Sequence, residues 1–75
     1  MKKYRIFSVD EISAKLKGII ELRMDDEDRY ILKKLKEFRM NLSNRKYYID
    51  WGDDTYLEII DKKTYHTKAF LEQIR

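Results

Sequence analysis

The chain contains no cysteine and no proline, and only two glycines among 75 residues. Without cysteine there is no disulfide framework, zinc ribbon, thiol nucleophile or CxxC redox pair. One histidine, His66, cannot supply the several converging ligands of a histidine metal site. Two glycines cannot build a Gly-rich phosphate cradle, and the scattered Ser and single His offer no Ser-His-Asp arrangement. No stretch approaches the ~20 apolar residues of a membrane span, and the N-terminus lacks the apolar run of about 7–15 residues found in a signal peptide. The expectation is a soluble, cytoplasmic chain with no cofactor.

At this length a fold buries only ~60% of the surface its unfolded chain exposes, so residues 1–75 are read as a single domain with a thin core, marginal or homodimeric. What the chain has in abundance is charge, 41% of its residues, with a net charge of only +3. That charge comes in contiguous blocks of alternating sign. Residues 1–23 carry +3, 24–28 carry −4, 29–46 carry +6, 47–61 carry −5 and 62–75 carry +3. Opposite blocks can pair within the fold, or they can form separate docking faces for phosphates and for basic partners.

Hydrophobic spacing predicts the order β-α-α-β-β-α. Tyr4 and Ile6 alternate with Lys3 and Arg5, a short strand. Ser8-Val9-Asp10-Glu11 fits a capping box, and Ile12, Leu16, Ile19 and Ile20 follow at helical spacing, predicting a helix from about Val9 to Arg23. Gly18 inside it marks a weak point or a place where another element packs closely. Asp25 to Asp28 suit a helix N-terminus, followed by Ile31, Leu35, Phe38 and Leu42 on one face. Tyr47, Ile49 and Trp51, then Gly52-Asp53-Asp54, then Leu57 and Ile59 read as a hairpin. After Asp61 or Thr64 as N-cap, Tyr65, Ala69, Phe70 and Ile74 mark a final helix. The expected fold is α+β: a two-layer domain with a three-stranded antiparallel sheet and helices on one face.

Two constellations stand out. The hairpin gathers Tyr48, Trp51 and Tyr56 with Asp53 and Asp54, an acidic aromatic face suited to a basic protein surface, because Tyr and Trp bury large area at low entropy cost. The second helix carries Arg29, Lys33 and Lys36 opposite its apolar face, flanked by Lys34 and Arg39. These residues, or Lys3 and Arg5 of the first strand, could neutralise phosphates. Asp50, Asp53 and Asp54 could approach a hard cation, but turn chemistry explains the same residues.

Three partial resemblances accompany these readings. Asp54 and then Ile59-Ile60-Asp61-Lys62-Lys63 resemble the Mg²⁺ nucleases of the PD-(D/E)xK type, without that family's proline and with compressed spacing. The resemblance implies metal-holding roles for Asp54 and Asp61 and a water-polarising role for Lys63. The element order resembles a shortened RelE-type RNase toxin, which implies that Lys62, Lys63, Tyr65 and His66 face RNA. Lys3-Tyr4-Arg5-Ile6-Phe7 before two helices resembles the ribbon-helix-helix regulators, which implies Lys3 and Arg5 in a DNA groove. Each conflicts with some residue, and no family is recognised.

The leading expectation is a small non-enzymatic binding protein, of the kind phages and mobile elements encode as a regulator or inhibitor. It would bind a basic protein surface through the acidic aromatic hairpin. The alternatives are a nucleic-acid-binding regulator using the second helix or the first strand, and a RelE-like RNase toxin.

Overall fold

Alternation with a period of two governs far more of the chain than the hairpin alone. The structure, a computed structural model, describes residues 1–75. Its strands are β1 (Lys2–Val9), β2 (Ala14–Leu22), β3 (Tyr47–Asp53), β4 (Tyr56–Asp61) and β5 (Thr67–Gln73). Its helix α1 (Asp28–Leu35) runs into a 3₁₀ turn, Lys36–Phe38. The strands form one sheet in the order β2-β1-β5-β4-β3, with every neighbouring pair antiparallel.

Cross-strand register lays Gly18, Ile6, Leu71, Leu57 and Trp51 in one row across all five strands. Tyr4, Ile20, Leu22, Ile49, Ile59 and Ala69 extend the same face. Onto it pack Ile31, Leu32 and Leu35 of α1, then Met40 and Leu42 from the segment that follows. Burying each large aliphatic side chain in such a layer contributes about 1.5–3 kcal/mol. Tyr4 is fully buried at the centre, and its hydroxyl donates to the Asp54 carbonyl at 2.7 Å, so this polar tip has a partner. Burial, ahead of the nearby charges, raises the Tyr4 pKa above its ordinary value.

These elements correct the expected three-stranded sheet with several helices. The segment expected as the first helix is a turn and β2, and the segment expected as the last helix is β5. In β2, Leu16 and Ile20 are four apart, as on a helix face. A β-bulge at Lys17 breaks the alternation, and Leu16 and Ile20 point to opposite sides of the sheet. Gly18, at φ 157°, faces α1's side, and a Cβ there would lie 2.6 Å from the Phe38 ring. The glycine therefore marks a close approach, one of the two meanings its position allowed. In β5, the neighbours Ala69 and Phe70 face opposite sides, one into the core and one onto the open face.

The segments expected to start the first and last helices build turns instead, and the expected Gly52-Asp53-Asp54 turn is present. Asp10 accepts the amides of Ile12 and Ser13 at 3.0 and 2.9 Å. Asp61 accepts those of Lys63 and Thr64 at 2.7 and 3.0 Å, and Asp53 accepts that of Thr55 at 2.7 Å. Helix start and tight turn pose the same problem, unpaired N–H groups, and a short Asp side chain solves both. The helix expected from the Asp25–Asp28 run is present but short. It ends in a Schellman arrangement in which Met40 N–H reaches the Leu35 carbonyl and Arg39 N–H that of Lys36. Arg39 occupies the left-handed conformation there, φ 61°, where glycine is usual.

Two expected outcomes follow from this packing. Gly18→Ala should lower stability by about 1–3 kcal/mol in urea titration, because the added methyl must displace the Phe38 ring. The carboxyl pKa values of Asp10, Asp53 and Asp61 are lowered, chiefly by amide hydrogen bonds to Asp10 and Asp61 and by the Thr55 hydroxyl at Asp53. A depressed carboxyl stabilises above its unfolded value and loses that contribution as pH falls through the folded value. The urea midpoint should therefore decline below about pH 4. The triple variant Asp10→Asn, Asp53→Asn, Asp61→Asn, which keeps the acceptor oxygens, should show a flatter acid limb.

Candidate nucleic-acid interface

The chain has a single ion pair, Lys2 with Asp54. The alternating charge blocks therefore do not neutralise one another, and most of the 17 Lys and Arg residues face solvent without a carboxylate in contact. Where they collect is decided by the segment between α1 and β3. The Ser43 carbonyl accepts the amides of Lys46 and Tyr47 at 3.1 and 3.0 Å, and the Ser43 hydroxyl accepts that of Arg45 at 3.1 Å. This tight turn is stitched to the β4–β5 turn through Lys62 N–H to the Lys46 carbonyl, 2.8 Å. Lys62 Nζ also donates to the Asn44 carbonyl, 2.9 Å.

On its other side, the same segment closes a groove against α1. Arg29, Lys33 and Lys36, one face of the helix, form one wall, and Asn41, Ser43 and Asn44 form the other, around a volume of about 230 Å³. Arg29, Lys33 and Lys36 share this groove, Lys62 joins it through Asn44, and Arg45, Lys46 and Lys63 adjoin these residues in sequence; all seven cations are exposed. Asp61, the acid bordering them, has its carboxylate turned onto backbone amides. Asp28, at the start of α1, is likewise occupied, accepting the Ile49 amide at 3.0 Å. Cations with amide and hydroxyl donors between them are the chemistry that holds phosphate oxygens.

The structure separates the basic residues singled out from sequence. Arg29, Lys33 and Lys36 come together. Lys34 turns away, donating to the Glu21 carbonyl at 3.0 Å and lying 5.5 Å from the Tyr30 ring centre. Lys3 and Arg5 lie on the opposite side of the sheet from α1. Their strand is interior, paired with β2 and β5, so it is not free to pair across a dimer as a ribbon-helix-helix strand would be. Sequence reasoning did not place Arg45, Lys46, Lys62 or Lys63 beside the second helix, although the +6 block over residues 29–46 already contained the first two and the RelE resemblance named the last two as RNA-facing.

The residues of the acidic aromatic hairpin are engaged in holding the fold. Trp51 packs against the core, edge-on to Tyr4 with ring centres 6.0 Å apart. Asp53 holds the Thr55 turn, and Asp54 pairs with Lys2. Tyr56 lies on the open face beside Phe70, and its hydroxyl donates to Glu58. Burial, then Glu58, pushes its pKa up to about 12. Tyr48 is half-buried on the same open face.

Asp54 and Asp61 stand at opposite ends of β4, too far apart to share a metal ion, and no cluster of three or more His, Asp or Glu side chains has metal-binding geometry. His66 and Tyr65 are exposed on the β4–β5 turn, beside a shallow groove also lined by Asp10, Glu11 and Lys68. The expected C-terminal helix of a RelE-type toxin is β5 here. No helix is long and apolar enough to cross a membrane. The chain matches no family model, no curated protein and no solved structure.

Trp51→Ala should lower stability by about 2–3 kcal/mol, the loss typical of truncating a half-buried aromatic that packs on the core. Chemical denaturation monitored by far-UV circular dichroism checks it.

Proposed function

We propose that this chain is a small nucleic-acid-binding protein that grips the phosphate backbone with the cationic surface of α1, the 41–46 segment and the β4–β5 turn. The observation that carries the reading is a basic groove of Arg29, Lys33 and Lys36 joined through Asn44 to Lys62 and flanked in sequence by Arg45, Lys46 and Lys63, all exposed and none in ion-pair contact with a carboxylate. Like charges held together repel, and a fold with no use for them has room to intersperse acids. Here Asp28 and Asp61, which border these segments, accept backbone amides instead of pairing with the cations. A phosphate backbone relieves the repulsion and gains entropy from released counterions. Amides and hydroxyls at Asn41, Ser43 and Asn44 add directional hydrogen bonds to the point charges of the lysines.

The surface is built from backbone-positioning chemistry. It offers lysine and arginine ends and short polar side chains, with no element shaped to enter a groove and read base edges, so the binding is largely sequence-independent. A basic protein surface at the hairpin, the other partner expected from sequence, is less favoured, because Trp51, Asp53 and Asp54 are already engaged within the fold.

Fluorescence anisotropy with labelled duplex DNA and single-stranded RNA tests the proposal. If about four phosphates are contacted, affinity for duplex should fall about a hundredfold between 50 and 200 mM salt. Lys33→Glu with Lys62→Glu should abolish binding, while Lys3→Glu with Arg5→Glu, on the opposite side of the sheet, should leave most of it. Salt-insensitive binding, or equal losses in both double variants, would refute the assignment.

A further inference from the structure

A five-stranded open sheet has two edges, and this chain treats them differently. Along the first half of β3 two outward amides are occupied: Tyr47 N–H by the Ser43 carbonyl and Ile49 N–H by the Asp28 carboxylate, each at 3.0 Å. Along β2 no backbone group between Ala14 and Ile20 has a hydrogen-bond partner on the side away from β1. The Lys34 ammonium on the Glu21 carbonyl marks where that free stretch ends. An unpaired edge is a template for another strand.

The side chains along this edge specify what kind of strand. On the open face, Leu16 and Ile19 are 56% and 55% exposed, and Ile12 in the adjoining turn is 94% exposed, the largest apolar exposure in the chain. On the other side, a groove of about 230 Å³ runs between β2 and the 3₁₀ turn, lined by Lys15, Leu16, Lys17, Glu37, Phe38 and Arg39. Three cations against one acid make that groove positive. Side chains of an added strand alternate between these two environments.

We propose that the β2 edge is a docking site for an extended segment of a partner protein in which acidic and apolar residues alternate. Its backbone continues the sheet, its apolar side chains cover Leu16 and Ile19, and its carboxylates enter the groove among Lys15, Lys17 and Arg39. The same lysines disfavour a second copy of this chain, since antiparallel β2 edges paired about Leu16 or Lys17 would bring lysines together. Edge lysines of this kind discourage self-association yet favour an acidic strand. The bulge at Lys17 divides the edge into two short runs, so side-chain chemistry rather than ladder length supplies the selectivity.

The test is selection of a displayed library of random peptides on the full chain, followed by affinity measurement and amide exchange on the peptides recovered. Enriched peptides should alternate acidic and apolar residues. Their binding should weaken about tenfold or more in Leu16→Lys with Ile19→Lys, exposed positions where the melting temperature should stay near that of the parent. It should be unchanged in Lys33→Glu with Lys36→Glu, and amides of Ala14–Ile20 should gain exchange protection when the peptide is added. Absence of enrichment, a consensus without acids, or loss in the α1 variant instead would overturn the proposal. So would concentration-dependent protection of β2 without peptide, which would make a second copy the occupant.

Discussion

The insertion of β5 between β1 and β4 is the constraint on which the remaining structure depends. The β1–β2 and β3–β4 hairpins are each local, and each presents an apolar face too small to bury a helix. Only the last strand joins them. Ala69 and Leu71 are fully buried between the two, and the C-terminal end of β5 is latched on both sides, Ile74 N–H to the Lys3 carbonyl and Gln73 N–H to that of Thr55. With β5 in place the row from Gly18 to Trp51 becomes continuous, and α1 has a floor wide enough for Ile31, Leu32 and Leu35. Cooperative stability of the sheet therefore rests on contacts between the two ends of the chain, the most expensive in loop-closure entropy.

That architecture also divides the charges by task. Asp10, Asp26, Asp28, Asp53 and Asp61 each accept at least one backbone amide, holding turns or tying α1 to β3. A carboxylate is an acceptor with a short reach, and hairpin turns leave N–H groups that need one. Lysine and arginine have only donors and long stems, and two of them, Lys34 and Lys62, reach a backbone carbonyl. These five acids are drawn onto the backbone, while most of the cations remain in solvent.

The two edges and two faces of the sheet are equally unalike. One face is covered by α1, and the other carries the stacked pair Phe7–Phe70, ring centres 4.9 Å apart, with Tyr56 beside them. One edge is closed by Ser43 and Asp28, and the other is bare. The closed edge and the covered face meet near the helix N-terminus, whereas the bare edge adjoins the exposed Leu16 and Ile19. The proposed phosphate contact and the proposed strand addition therefore draw on different elements, and they adjoin where Lys36, Arg39 and Asn41 line one pocket.

Local periodicity determined what depends on local physics. The first strand, the hairpin around Gly52-Asp53-Asp54 and the helical turns from Asp28 were legible because their apolar residues repeat with one unambiguous period. The positive charge of the α1 region was legible in the block over residues 29–46. The identities of β2 and β5 were not. Leu16 and Ile20, four apart, fit a helix stripe until a bulge at Lys17 sends them to opposite faces, and Ala69-Phe70 reads as a helix stripe unless both sheet faces are known to be apolar. Only tertiary structure decided those, along with the union of Arg45, Lys46 and Lys62 with α1 and the release of Lys34 from it. Pairing across sixty or more residues is set by where backbone hydrogen bonds and buried area are jointly satisfied, a global condition that no single window of sequence contains.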